Sequence, residues 1–151
     1  MIEVNRHVQA TPGEVFSVLA DGWLYSGWVV GASRIRAVDD HWPAPGSVIH
    51  HSVGAWPALI DDTTSVLECV PDQRLVLQAR GWPIGEATVY VDLEPADGGC
   101  LVRLHEDATA GPGRLIPKPV RQVTIAPRNR ESLRRLQLIA EGRVRPSVER
   151  P

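Results

Sequence analysis

The chain carries only two cysteines in 151 residues, Cys69 and Cys100, with neither a CxxC spacing nor a paired framework. That excludes a disulfide scaffold and a thiolate metal site and leaves two free thiols. Long hydrophobic runs are missing too, so no segment is expected to insert stably in a bilayer. The opening order Met1-Ile2-Glu3-Val4-Asn5-Arg6 lacks the basic-then-apolar pattern of a secretory signal, and a cytoplasmic address is the expectation. No G-x-S-x-G elbow, phosphate-cradling glycine loop, Walker pattern or cysteine beside a histidine occurs, which removes the usual signatures of nucleophilic catalysis and nucleotide binding. Repeats and low-complexity segments are absent as well.

What is present fits one globular domain: 43% hydrophobic and 23% charged residues in a chain long enough to bury a core without staples. The net charge of −2 hides an asymmetry. Residues 1–113 hold 6 Lys+Arg against 15 Asp+Glu, and residues 114–151 hold 10 against 3, so the two parts carry −9 and +7. Basic residues on a C-terminal helix can mark a nucleic-acid footprint. Here no aromatic residue interleaves them to stack a base, so a solvated helix face or pairing with the acidic part is the better reading, and no nucleic-acid partner is expected.

Periodicity gives the order of elements. Ile2 to Gln9 alternates as a first strand. Thr11 is placed as an N-cap, with Pro12 at the first helical position and Glu14 completing a capping box, so a helix over 12–20 follows. Trp23 to Gly31 is too apolar and glycine-broken for a long helix and reads as a short second helix running into a glycine turn. Strands are expected over 33–39, 47–53, 59–70, 74–81, 86–93 and 100–109. The short turns Pro71-Asp72-Gln73 and Ala96-Asp97-Gly98-Gly99 make their flanking strands antiparallel neighbours. A long helix from about Ile116 to Glu141 comes last, with Pro127 expected to kink or split it. A sheet whose apolar face is covered by one late helix is an α+β arrangement. The domain is expected over 1–142, with 143–151 as a polar tail.

This order resembles the START-like or SRPBCC superfamily, the helix-grip fold of the birch-pollen allergen, polyketide cyclase and lipid-transfer branches. Thr11-Pro12-Gly13-Glu14-Val15-Phe16 is similar to that family's opening proline–x–glutamate–valine–aromatic turn, although Thr11 departs from the usual residue before the proline. Trp28-Val29-Val30-Gly31-Ala32-Ser33, Pro45-Gly46-Ser47 and the stretch from Arg128 to Leu136 resemble uncharacterised actinobacterial members of the polyketide cyclase/dehydrase-like branch. The resemblance implies a curved antiparallel sheet of about seven strands wrapped around the long helix, with two short helices after strand 1. It also implies a mostly apolar pocket between sheet and helix that holds a lipid, polyketide or aromatic ligand, and no cofactor. One fold hosts many activities, so the site must be argued from residues.

Alternation over 100–109 separates Val102, Leu104, Glu106 and Ala108 from Leu101, Arg103, His105 and Asp107, which turns Glu106 inward. A carboxylate on an apolar face needs a partner, solvent or a proton. It is either a structural group met by an arginine or backbone amides, or part of a ligand site. The same test over 47–53 groups Ile49, His51 and Val53, so His51 is a pocket candidate and His50 faces solvent. If their strands brought them together, Glu106 and His51 would be the candidate acid/base pair. No metal is expected, because His50 and His105 point away from them and no zinc spacing occurs.

There are 5 tryptophans against 2 tyrosines and 1 phenylalanine. Trp28, Trp56 and Trp82 lie by predicted strand ends or glycine turns, where they either line a pocket mouth or anchor loops; Trp42 reads as a turn residue. On the late helix, Leu133, Leu136 and Asn129 share the apolar stripe, with Asn129 either bonding a ligand or capping a break at Pro127. Three readings follow: a binding protein for a small hydrophobic ligand, a cyclase- or dehydratase-like enzyme using Glu106 and His51, and an interaction protein with a vestigial pocket. Pairing with a second copy of the chain, as a homodimer, is compatible with each.

Overall fold

Thr11 begins the first helix as its neighbours dictate: its hydroxyl accepts from the Glu14 amide at 3.1 Å, and the Glu14 carboxylate accepts from the Thr11 amide at 2.9 Å. The capping box satisfies two amides that the first helical turn leaves free. The computed structural model describes residues 2–53, 59–81 and 85–144. In it β1 (Ile2–Val8) leads to α1 (Pro12–Leu19), a 3₁₀ turn at Gly22–Leu24 and α2 (Tyr25–Trp28). The strands β2 (Ala32–Val38), β3 (Val48–Val53), β4 (Ile60–Val70), β5 (Arg74–Gly81), β6 (Gly85–Ala96) and β7 (Gly99–Ala110) follow. A second 3₁₀ turn at Pro112–Leu115 precedes α3 (Lys118–Val144).

All seven strands form one antiparallel, curved sheet in the order β1-β7-β6-β5-β4-β3-β2. The first strand closes against the last, while β2 to β7 run as consecutive neighbours. Register shifts interrupt β2/β3, β4/β5 and β6/β7. Such bulges increase local twist and bend a sheet, which suits one that must curl around a helix. This is the helix-grip arrangement expected from the element order.

The concave face carries the core. Leu75, Leu77, Val91, Leu93, Val102 and Leu104 alternate inward from the central strands, and Ala126, Leu133, Leu136 and Ala140 meet them from α3. Val15, Phe16, Val18 and Leu19 of α1 complete it. Polar contacts seat α3: Arg6 of β1 donates to Gln137, and the Val30 amide donates to the Ser132 hydroxyl at 3.1 Å. At Gly22 an added Cβ would come 2.6 Å from a Val38 methyl, so only glycine lets the 3₁₀ turn lie this close to β2. Gly31 turns the chain from α2 into β2 at a φ of 102°, where side chains are disfavoured.

One expectation is cut back and another is extended. Pro127 does not split the last helix: α3 runs through it unbroken from Lys118 to Val144. A proline removes one helical hydrogen bond, and the packing of Ala126, Leu133 and Leu136 on the sheet outweighs that loss. Trp42 is more than a turn residue, since it is buried and its indole N–H donates to the Leu19 carbonyl at 3.2 Å, tying the β2–β3 turn to the end of α1. Its large ring finds core volume that a local turn reading cannot see.

Candidate functional site

The inner face contains two polar clusters in otherwise apolar surroundings. The first joins α2, β3 and β4. His51 lies on β3 beside Ile49 in the inward set and is 2% exposed. Its Nε2 is 2.8 Å from the hydroxyl of Thr64 on β4, and that hydroxyl is 3.1 Å from the Tyr25 hydroxyl. The Tyr25 ring stacks on the His51 ring at 5.5 Å and takes Trp28 edge-on at 5.7 Å. Burial drives the titration of this group. It pushes the Tyr25 hydroxyl up to about 12 and the His51 imidazole below its ordinary value. Both are thus held neutral.

The second cluster joins β7 to α3. Glu106 turns inward, its side chain 11% exposed, and its Oε2 accepts from Arg128 at 2.5 Å and from the Asn129 amide at 3.3 Å. Arg128 is 42% exposed and bridges this carboxylate to the surface. The structural reading of Glu106 therefore has its partner, and the inward phase that the alternation implied is present. Asn129 is buried in the α3 stripe and serves Glu106 rather than capping a break. Glu106 and His51 keep separate hydrogen-bond partners, so they do not form a direct acid/base pair. The clusters are close enough for the charges of Glu106 and Arg128 to act on Tyr25.

Between them the sheet is shallow. Along the register Thr64↔Ala79, Ala79↔Ala87 and Ala87↔Ala108, three neighbouring strands present alanine where the next inward row presents Leu77, Val89 and Glu106. Ala79, Ala87, Val89 and Ala108 keep part of their surface exposed although they belong to the inward sets. Small side chains on a concave face, here two residues from the strand ends, leave room that larger ones would fill.

Other expected site residues are all buried: Ile49, Val102, Leu104, Leu133, Leu136 and Trp28. Trp56 and Trp82 lie outside the described residues. His105 is on the outer face as predicted, stacked on Tyr90 at 4.5 Å and 3.8 Å from Glu3. Among the described residues no cluster of three or more metal-ligating side chains occurs, and no helix is long and apolar enough to cross a membrane. On the basic helix, Arg134 and Arg135 pair with Glu131 of the same helix, and Arg128 with Glu106 across to the sheet.

Sequence reasoning missed Tyr25 and Thr64. Tyr25 sits in a stretch with no clean period, and the inward set of β4 mixes Asp62, Thr64 and Val66, so alternation gives no apolar face there. The one available signal was a small hydroxyl residue in phase with Val66.

Similar folds occur in solved structures. A protein from Nitrosomonas europaea matches at 16% identity with a TM-score of 0.72, covering 94% of both chains. One from Rhodobacter sphaeroides matches at 23% identity and a TM-score of 0.69, covering 91% of this chain and 89% of that one. The di-domain ARO/CYC StfQ from the steffimycin biosynthetic pathway matches at 13% identity and a TM-score of 0.73; the alignment covers 94% of this chain and 50% of StfQ. At these identities the likeness concerns the fold. No curated protein matches the sequence. A family model does, over residues 1–141, and with the seven-stranded sheet gripping α3 it shows that the chain belongs to the polyketide cyclase/dehydrase and lipid transport family.

Proposed function

We propose that the protein binds a small hydrophobic molecule, a lipid, polyketide or aromatic compound, between the concave sheet and α3, and acts as a binding or carrier protein. The observation that carries this reading is the partly exposed row Ala79, Ala87 and Ala108 on an inward face, flanked by two polar clusters. Apolar concavity with a few convergent polar groups is the usual composition of a small-molecule site. The family description, which includes lipid transport, agrees with it.

In this reading Ile49, His51, Val102, Leu104 and Trp28 form the sheet side and floor of the site. Glu106 and Asn129 form its polar end, and Leu133 and Leu136 its helix wall. Carriage requires no cofactor. We assign the protein to the cytoplasm, a reading supported by the free thiols Cys69 and Cys100. They lie on β4 and β7, separated in the sheet by β5 and β6, too far apart to pair.

One observation favours a second reading, a cyclase- or dehydratase-like enzyme. More polar groups converge than the sequence indicated, with Tyr25 and Thr64 added to His51, Glu106 and Asn129. StfQ, described as an ARO/CYC, shares the fold. Glu106→Gln separates the readings because it keeps shape and loses the ionisable group. A carrier retains most of its affinity, whereas an acid/base enzyme binds but turns over more slowly by about 10²-fold or more.

The direct experiment is native mass spectrometry of the protein purified from its own host, with extraction and identification of what is bound; it also reads whether two copies associate. A saturable change in tryptophan fluorescence with lipids, polyketides or aromatic acids checks it independently. Absence of any bound molecule together with failure of the whole panel would reject both readings and leave an interaction protein with a vestigial pocket.

A further inference from the structure

The Tyr25–Thr64–His51 chain stops at an atom with nothing to bond. His51 is 2% exposed, its Nε2 is used by Thr64, and its Nδ1 is buried without a hydrogen-bond partner, Asp62 opposite it on β4 included. Counting hydrogens decides what kind of atom it is. The two hydroxyls carry one hydrogen each and the neutral imidazole carries one. When Tyr25 donates to Thr64 and Thr64 donates to Nε2, both hydroxyl hydrogens are used and the ring hydrogen resides on Nδ1. When Nε2–H donates to Thr64 instead, a hydroxyl hydrogen and a bare Nδ1 are both left unpaired. Each buried orphan is destabilising, so the first arrangement, with one, is preferred over the second, with two. The neutral state this counting requires agrees with the burial that holds the proton on Tyr25 and keeps His51 uncharged.

Resting on the cavity reading above, we infer that His51 Nδ1–H is a ligand-binding donor, placed to take an uncharged carbonyl oxygen at the buried end of the bound molecule. Buried donors are nearly always satisfied, and among the described residues no acceptor reaches this one. A carboxylate is a poor fit. The chain of three is neutral, and two carboxylates act on it, Asp62 on His51 and Glu106 on Tyr25, opposed by Arg36 and His50 on His51 and by Arg128 on Tyr25, so a further carboxylate would meet repulsion there. The clusters thereby divide the work: the second is closed by its own arginine, and the first is completed from outside.

The test uses two probes of the same frame, 2-acetylnaphthalene and 2-ethylnaphthalene, titrated calorimetrically into the full chain. Nitrogen-15 imidazole spectra of His51 accompany them. The unliganded protein should show the Nδ1–H tautomer, the ketone should shift that nitrogen on binding, and the ketone should bind about tenfold more tightly than the hydrocarbon. His51→Gln keeps an acceptor for Thr64 but has no atom at Nδ1, so it should reduce the preference to within about twofold; His51→Asn, whose amide nitrogen falls near Nδ1, should restore part of it. An Nε2–H tautomer overturns the inference. So does equal binding of the two probes by the wild type, the result expected if Nδ1 keeps a buried water; in that case the cavity reading stands. Failure of both probes to bind overturns the inference, and together with an empty native mass spectrum and failure of the whole ligand panel it overturns the cavity reading as well. Should His51→Gln not fold, the wild-type tautomer and the wild-type preference still decide.

Discussion

The two polar clusters under the α3 and α2 cover differ in charge and in completeness. Around Glu106 a full negative charge is met by Arg128 and Asn129, and Arg128 reaches water. Around His51 three neutral groups bond in a row, all deeply buried, and one nitrogen is left over. A charge taken into an apolar face must bring its counter-charge with it, since the desolvation cost is otherwise several kcal/mol. A neutral group can be left one bond short at smaller cost. The difference shows why an ion pair sits where its arginine reaches water, while neutral groups can be buried together in the interior.

The largest effect should come from charging the buried face of α3. Leu133 is 2% exposed, one turn of α3 from Asn129, so Leu133→Arg places an unpaired charge in the interior. It should cost several kcal/mol in urea unfolding and abolish any saturable fluorescence response to an apolar ligand. Next, Thr64→Val removes the middle of the neutral chain and orphans both ends. A loss of about 2–4 kcal/mol is expected, against about 1 kcal/mol for Tyr25→Phe, which removes only the terminal donor. Equal losses for the two would show that the three groups do not act as a chain.

Acid should then distinguish the clusters. Burial holds His51 below its ordinary value, with Arg36 and His50 in the same direction and Asp62 opposing. As the pH falls through about 6.5 the unfolded chain takes a proton that the folded protein refuses. Stability is therefore fully present above that value and declines below it until the depressed folded value is passed. Urea midpoints compared between about pH 7.5 and pH 5.5 should drop more in the wild type than in His51→Gln. The smallest effect belongs to the charged cluster. Because Arg128 is 42% exposed and can turn to water, Glu106→Gln should cost no more than about 1 kcal/mol. A loss several times larger would mean that the pair is sealed from solvent and that the contrast between the clusters is wrong.

Legibility in the sequence followed the range of the signal. Strand and helix order, the capping box at Thr11, and the inward phases of Glu106 and His51 are local patterns of period 2 or 3.6, and the structure carries each of them. The link between Tyr25 and Thr64 spans 39 positions and depends on how α2 docks over β4, which no periodicity encodes. Of the kink or split expected at Pro127, the split is absent, since a local penalty was weighed without the packing that offsets it. Asn129 was placed on the correct stripe, but its bond to Glu106 was not legible, because a stripe names a face and leaves open which side chain stands opposite.

By itself, then, the sequence determined which residues face inward and in what order the sheet and its covering helix are made, because backbone pleat and helical pitch translate position into face without reference to anything distant. Only the tertiary structure decided who meets whom. It paired Glu106 with Arg128 and Asn129, kept His51 apart from Glu106, and set Thr64 between His51 and Tyr25. Those choices depend on strand register and helix docking, and a hydrogen bond is made or lost over distances smaller than any sequence pattern resolves.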